Sequence, residues 1–256
     1  MIHPTAIISK SAKIDSSVTI GPYSIIGENV VILENTILES HVVIKKNTSI
    51  GRNNKIYQFA SIGEDPQDLK FNNEETNLVI GDNNIFREFC TINRGTVTGI
   101  NETIIGSNNL FMTSSHVAHD CVIKDNCILS NAASLAGHVR IGNNVSLGGF
   151  TLVHQFCEIG DYAFSGLGTV ISRDVTPYTL VAGNHAQAYK INTAGLKRKG
   201  FDLDTIKGLE KAFKLFIKSK ASRDQVNTEF KNLNLNHKEV KYFVSFINSS
   251  ERGITR

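Results

Sequence analysis

The sequence predicts a mainly β protein: a parallel β-solenoid of six-residue repeats followed by a small C-terminal α-helical domain. Three observations carry that expectation. An aliphatic residue returns every six positions over most of the chain, glycine and asparagine recur in the same frame, and the spacing becomes helical after about residue 185. The first run of aliphatics is Ile2, Ile8, Ile14, Ile20, Ile26, Ile32, Leu38, Ile44, Ile50, Ile56 and Ile62. The fourth residue after the aliphatic is usually small or branched, as at Ala6, Ala12, Val18, Val30, Thr36 and Val42, and glycine often follows it directly, as at Gly21, Gly27, Gly51, Gly63 and Gly81. A period of six suits neither a helix nor a plain alternating strand, but it suits short strands joined by turns, each sending one aliphatic into a shared core. Three such strands close a triangular coil of about 18 residues, stacked on the next at the ~4.8 Å strand spacing. The turns need residues that tolerate positive φ, and the sequence supplies Gly and Asn freely, including Asn53-Asn54, Asn83-Asn84, Asn108-Asn109 and Asn143-Asn144.

The frame is interrupted twice. It keeps phase but loses its pattern across EDPQDLKFNNEETNL, and it slips by one residue across RGTVTGINET, so excursion loops are expected at about 64–79 and 94–104. In a rigid scaffold such loops tend to carry function. Regularity resumes from Ile105 to Ile171 with Ser165 as the one polar intruder, and the coil should end near Gly183. Residues 1–185 therefore read as the solenoid and 186–256 as the helical domain. In the latter, Leu203, Ile206, Leu209, Phe213 and Phe216 keep helical spacing, Ser222 offers a cap, and NHKEVKYFVSFIN repeats the amphipathic pattern. These helices can cap the open end of the last coil, whose strand edges would otherwise be unpaired.

Composition sets bounds. The 256 residues, 41% hydrophobic and 20% charged with a net charge of +3, describe an ordinary globular chain and give no sign of disorder or of a polybasic nucleic-acid binder. Cys90, Cys121, Cys127 and Cys157 form no CxxC pair, so they read as reduced, small apolar residues. No basic segment followed by an unbroken apolar stretch opens the chain, and no window approaches the ~18 apolar residues of a membrane span, so a cytoplasmic protein is expected.

Polar residues converge on one patch. Subtracting 18 at each coil puts His119 over Gly137 and Gln155, and Asp120 over His138 and Phe156, with His116 and His154 beside this column. Four of the eight histidines thus gather within three coils. A neutral imidazole can take a proton from a hydroxyl near neutral pH when a partner holds its tautomer. His119 and Asp120 supply that pair, provided a turn between them lets adjacent side chains meet. Gly137 offers a backbone N–H that an oxyanion can approach without meeting a Cβ. Base and oxyanion donor together point to acyl transfer. No activated serine or cysteine stands beside His119, Cys121 having a packing position, so direct attack by an acceptor hydroxyl is expected rather than an acyl-enzyme.

The repeats resemble the left-handed parallel β-helix of the hexapeptide-repeat acyltransferases, whose hand departs from the usual crossover rule. More narrowly, HVAHDC, NAASLAGHV, VHQFC, IYQFASIGEDPQDLK, INRGT, GNHA and INTAGLKRKGF resemble the UDP-N-acetylglucosamine O-acyltransferases over essentially the whole chain. The resemblance implies transfer of a fatty acyl group, usually 3-hydroxylated, from acyl carrier protein to the glucosamine 3-hydroxyl of UDP-N-acetylglucosamine. That reaction starts lipid A synthesis; the resemblance also implies a homotrimer with sites between subunits, no metal and no cofactor beyond the carrier's own arm. Carried over by motif, His119 is similar to the general base, Asp120 to its orienting partner and Gly137 to the oxyanion donor. His116, His138 and His154 match substrate-contacting positions, Gln155 a position near the diphosphate, Asp68 a sugar contact, and Gln67 and Lys70 positions near the acyl or pantetheine arm. Asn192 and Arg198 match nucleotide-binding positions, the guanidinium suiting a diphosphate. The chain departs from the family at Ala194, where an acidic residue is common, and at Lys199, where a second arginine is.

Leu167 stands where some relatives that accept long chains have glycine, in a column with Asn131 and Gly149, and is expected to shorten the preferred acyl chain. Lys197, Arg198, Lys199, Lys207, Lys211, Lys214, Lys218 and Lys220 are suited to steer an acidic carrier protein. Rival readings are a coenzyme A-dependent acetyltransferase, many of which carry GNPA where this chain has Gly183-Asn184-His185-Ala186; a glucosamine N-acyltransferase, which normally has an additional N-terminal domain; and a γ-type carbonic anhydrase with three histidines on zinc.

Overall fold

The computed structural model describes residues 1–219, 222–232 and 237–256. Its strands are mostly two residues long and parallel, each pairing with the strand one coil away, as in Ile20↔Leu38 and Ile128↔Ser146. They form three sheets of nine, eight and ten strands, the faces of a triangular coil. From Ile8 onward the expected aliphatics point inward and merge into one core, whereas Ile2 at the open end of the coil is 47% exposed. The polar exception, Ser165, is buried there as well: its hydroxyl bonds Thr151 Oγ1 at 2.8 Å and accepts the Gly148 N–H at 3.0 Å, so its polarity is satisfied.

The two loops are shorter than expected. Ile50 pairs with Ile80 and Ile80 with Ile105, separations of 30 and 25 residues against a regular 18, so the insertions amount to 12 and 7 residues. The strands Asn77–Ile80 and Glu102–Ile105 claim the last residues assigned to the loops from sequence, leaving 65–76 as the first loop and 94–101 as the second. They leave neighbouring strands of one sheet, Ser61–Glu64 and Thr91–Asn93, and the next strand of that sheet is His116–Val117. Both loops therefore emerge beside the histidine patch.

Turn chemistry differs by corner. At one corner Asn35, Asn53, Asn83, Asn108, Asn126 and Asn144 take positive φ, as expected. The second asparagine of each early pair has another use: Asn54 Oδ1 accepts the Asn84 N–H at 2.8 Å, Asn84 Oδ1 the Asn109 N–H at 2.9 Å, and Asn109 Oδ1 the Cys127 N–H at 2.7 Å. At a second corner aromatic residues occupy the left-handed position and pack ring against ring, Tyr23 and His41 tilted, Phe59 stacked on Phe89, with centroids 5.1 to 5.4 Å apart. Ring contact between coils offsets the conformational cost there. Of the glycines after the aliphatics, Gly63 takes a positive φ of 83°, whereas Gly21, Gly27, Gly51 and Gly81 serve close approach: a Cβ on Gly21 would lie 2.7 Å from the Glu39 carbonyl carbon of the next coil.

The parallel coil ends beside Gly183, but the sheet does not. Thr179–Ala182 is its last parallel strand, and Gln187–Ile191 turns back to pair with it antiparallel, so residue 185 lies in a hairpin that closes the third sheet. Helix α1 (Thr193–Arg198) follows, capped by Asn192, whose Oδ1 accepts the Gly195 N–H. Helix α2 (Leu203–Phe213) is capped by Asp202 and runs into a π-helical turn, Lys214–Lys218. Ile206, Leu209, Phe213 and Phe216 are buried, whereas Leu203, the first residue of α2, stays exposed. Helix α3 (Arg223–Asn232) starts with a reciprocal cap: Ser222 N–H donates to Gln225 Oε1 and Gln225 N–H to Ser222 Oγ. Helix α4 (Lys238–Ser249) packs on α2. The C-terminal segment then returns to the coil, with Asp174 N–H donating to Gly253 O and Thr255 N–H to Asp174 O. Among the described residues no helix is long and apolar enough to cross a membrane.

Candidate active site

Strand His116–Val117 ends at a corner whose turn puts Asp120 at φ 59°. That left-handed residue is what lets adjacent side chains meet. His119 Nδ1 lies 2.8 Å from Asp120 Oδ2, so Nδ1–H donates to the carboxylate and Nε2 keeps its lone pair. One coil on, the same corner carries Gly137 and His138. The His119 ring covers Gly137 so closely that a Cβ there would fall 2.7 Å from its Cε1 and 2.8 Å from its Nε2. Gly137 N–H makes no hydrogen bond to the described residues. His138 meets His119 edge-on at 5.0 Å and stacks flat on Phe156 at 4.4 Å, with its Nε2 4.0 Å from Asp120 Oδ2.

Asp120 is buried, and the second loop folds over it. Thr96 N–H reaches both carboxylate oxygens at 3.1 Å, Thr96 Oγ1 donates at 2.7 Å, and Ile100 N–H donates at 3.0 Å. Burial acts to raise the Asp120 carboxyl, but the bonds from His119 and Thr96 and the charge of His138 outweigh it and hold the group below its usual range. Nothing in the sequence assigned Thr96 or Ile100 to the dyad; the only signal was that the frame slips beside them.

The remaining histidines are less tightly engaged. His116 Nδ1 bonds Thr91 Oγ1 at 2.7 Å, and burial, with the charge of His119, pushes its pKa down. His138 is also pushed down, chiefly by burial, against the opposing charges of Asp120 and Asp68. His154 and Gln155 lie exposed at this corner one coil beyond Gly137, where Arg252, from the C-terminal segment, comes within 3.2 Å of His154 Nδ1. That residue escaped the sequence reading because 98 positions separate the pair. In the first loop Gln67 and Lys70 are exposed and Asp68 half-buried, its Oδ1 accepting the Lys70 N–H at 3.0 Å.

The lowered histidines have a consequence for stability. Above pH 6.5 folded and unfolded chains both hold neutral imidazole, and their contribution is complete; as pH falls toward the lower folded values the unfolded chain takes up protons first and stability is lost. Tm is therefore expected to drop as pH is lowered through 6.5, and the drop should be smaller in His138→Gln. Equal acid slopes for the two proteins, measured by calorimetry, would assign the loss to other groups.

His119, Asp120 and His138 offer donor atoms all within 4.8 Å of one another, a set that resembles a metal site. Both Asp120 oxygens are already engaged by loop donors and His119 Nδ1, so a metal ion there would have to displace the His119 bond. The donors fit an orienting dyad better than a metal centre. Cys121 is no rival nucleophile, since burial pushes its thiol up to about 12.

The other expected site residues stand elsewhere on the same subunit. Asn192 and Arg198 border a cavity of about 270 Å³ at the asparagine corner, beside Asn126, Asn144 and Tyr162. Asn131, Gly149 and Leu167 border a groove of about 460 Å³ at the aromatic corner, where Leu167 is 82% exposed. The histidine corner has its own polar cavity of about 500 Å³, lined by Asp120, His138, Arg140, Phe156, Glu158 and Arg252. Three corners of one prism thus carry the three groups, with the packed core between them. Lys197, Arg198, Lys199, Lys207, Lys211 and Lys214 are exposed, Lys218 donates to Ala188 O at 2.6 Å, and Lys220 lies outside the described residues.

Known proteins resemble this chain over its whole length. A protein from Ectopseudomonas mendocina named acyl-[acyl-carrier-protein]--UDP-N-acetylglucosamine O-acyltransferase is 54% identical over 255 residues, spanning 100% of this chain and 99% of its own. The chain belongs to the UDP-N-acetylglucosamine O-acyltransferase family. The family profile described as UDP N-acetylglucosamine O-acyltransferase, domain 2, matches residues 174–255. The crystal structure of the Moraxella catarrhalis member of the family superposes with a TM-score of 0.97 at 49% identity, covering 100% of this chain and 99% of that one. The Francisella novicida UDP-N-acetylglucosamine acyltransferase gives 0.96 at 42%, covering 100% and 94%. The coil is accordingly the left-handed β-helix of this family.

Proposed function

We propose that this enzyme transfers a fatty acyl group from acyl carrier protein to the glucosamine 3-hydroxyl of UDP-N-acetylglucosamine, as the first step of lipid A synthesis in the cytoplasm. The supporting observation is the His119 ring set over Gly137 with its Nδ1 bonded to Asp120. His119 Nε2 takes the proton of the 3-hydroxyl as its oxygen attacks the thioester carbonyl. Negative charge gathers on the carbonyl oxygen, where the Gly137 N–H stabilises it. Collapse breaks the C–S bond, and the departing thiolate of the carrier's phosphopantetheine arm takes the proton from the His119 imidazolium. Asp120 keeps its charge throughout and steadies that imidazolium.

A homotrimer accounts for the three-corner arrangement. One subunit supplies the histidine corner and Asp68; its neighbour supplies Leu167 for the chain and Asn192 and Arg198 for the nucleotide. Exposed aliphatics at outward strand positions, among them Ile25, Ile37, Ile85, Ile128 and Leu152, give such a contact apolar area. His116, His138, His154 and Gln155 then line the sugar nucleotide, Gln67 and Lys70 the acyl arm, and the exposed lysines of the tail guide the acidic carrier. Asn192 has a structural duty beside this one, since its side chain caps α1 and donates to Tyr162 O.

The test is purified protein with UDP-N-acetylglucosamine and a panel of acyl carrier proteins bearing chains of several lengths with and without a 3-hydroxyl, product masses being read with and without a chelator. Mono-acylated sugar nucleotide, unaffected by chelation, is expected. Acetyl transfer from coenzyme A alone, or activity abolished by chelation and restored by zinc, overturns the reading. Chain length has its own test. Leu167 projects into the groove that Gly149 helps form, its Cδ2 3.4 Å from where a Gly149 Cβ would lie, and Leu167→Gly is expected to lengthen the preferred acyl chain by a few carbons because close-packed walls do not yield that space cheaply. An unchanged chain-length profile in competition assays places the limit elsewhere.

A further inference from the structure

We infer that Arg94 is a positioning residue for the reaction, holding the first loop so that Asp68 faces His138. Arg94 is the largest fully buried side chain among the described residues. A guanidinium taken out of water needs partners, and its partners belong to the first loop and the strand that leads into it. Nη1 donates to Gly63 O at 2.8 Å, Nη2 pairs with the Asp65 carboxylate, and the backbone N–H donates to Glu64 O at 3.0 Å. Asn93 Nδ2 adds a bond to Asp65 O at 2.7 Å, and the guanidinium stands 6.0 Å from the Phe71 ring.

These contacts bracket Asp68. Its neighbours at 65 and 71 are pinned to Arg94, and a turn between them has Phe71 N–H donating to Asp68 O at 3.0 Å. The loop that carries Asp68 emerges beside the histidine corner, and the Asp68 charge acts on His138. From Arg94 the chain continues directly to Thr96 and Ile100, which hold Asp120. One residue therefore ties the loop that carries Asp68 to the loop that seats the dyad. The junction is not built for stability alone: Thr76 Oγ1, Asn93 Oδ1 and Arg94 Nε are buried there without a partner, a set of unsatisfied groups that an apolar plug would avoid.

This inference rests on Asp68 contacting the sugar nucleotide, and a double-mutant cycle separates the two. Lysine keeps the charge of Arg94 but lacks the fork that spans Gly63 and Asp65. Arg94→Lys is expected to raise KM for UDP-N-acetylglucosamine about tenfold while kcat and the KM for acyl carrier protein stay within about twofold. In an Asp68→Ala background the same change should add less than about twofold. If Asp68→Ala raises KM and Arg94→Lys multiplies it by the same factor in both backgrounds, Arg94 does not act through Asp68 and the inference fails alone. An Asp68→Ala enzyme with unaltered KM overturns both assignments. A loss in kcat with KM unchanged, or no change in either, also overturns it. Should Arg94→Lys lack a thermal transition, Asp65→Asn at the exposed end of the pair replaces it in the cycle, with an expected KM rise of about threefold that vanishes beside Asp68→Ala.

Discussion

His119→Ala retains its thermal transition and loses about 10²–10⁴-fold in turnover, the usual range for a missing general base. The ring is largely covered, its side chain only 13% exposed, but it sits at a corner outside the apolar core, which is built from other residues, so the coil survives its removal. What disappears is the acceptor for the hydroxyl proton, together with the Nδ1 bond to Asp120. The measurement is kcat at saturating substrates beside calorimetry of the same preparation. Activity near that of the unaltered enzyme in a well-folded variant removes His119 from the role of base. Neither Asp120 nor Gly137 touches the hydroxyl in this scheme, so neither replaces the lost base.

Gly137→Ala is the second large effect. Gly137 does not have a positive φ, so an alanine meets no backbone penalty, and the whole cost falls on the contact with His119. A methyl at 2.7 Å from Cε1 cannot be accommodated unless the ring moves, and moving the ring stretches the 2.8 Å bond to Asp120. Displacement of a base by about 1 Å can cost on the order of 10²-fold, and that is the expected fall in kcat. Tm should change by no more than a few degrees, because the displaced ring stands at a corner outside the apolar core. A Gly137→Ala enzyme within threefold of normal kcat would falsify the tight seating of His119 on this glycine.

The two variants differ in what they report. Loss at His119 measures the proton transfer; loss at Gly137 measures how closely the base is held and how open the path to the Gly137 N–H is. Taken together with the Leu167 and Arg94 measurements, they divide the site into chemistry, chain length and nucleotide placement.

The histidine corner was legible because its register follows from arithmetic. Wherever the coil keeps 18 residues per turn, subtraction puts Asp120 over His138 over Phe156, and those three residues do share one column and one left-handed conformation. The turn at Asp120 likewise satisfied the condition that adjacent side chains needed a bend to meet. Arithmetic fails where the period breaks. Thr96 meets Asp120 across 24 residues and Arg94 meets Gly63 across 31, neither a multiple of the repeat, and both contacts begin in a loop. A short loop has no internal periodicity to read, and its path is set by what it packs on.

Sequence by itself determined the solenoid, its three-strand coil, the column of His119 and Gly137, the burial of the four cysteines and the presence of helices beyond the coil. Each is a local preference repeated many times, so the repeats reinforce one another and leave little choice of register. Only the tertiary structure decided that most glycines after the aliphatics serve coil-to-coil approach, that the third sheet closes through an antiparallel hairpin, and that Arg252 reaches His154. It also decided that the second loop seats Asp120 and that the histidines, Leu167 and the Asn192–Arg198 pair occupy separate corners. These depend on single contacts between segments far apart in the chain, where no repetition exists to betray them and the packing of the folded molecule makes the choice.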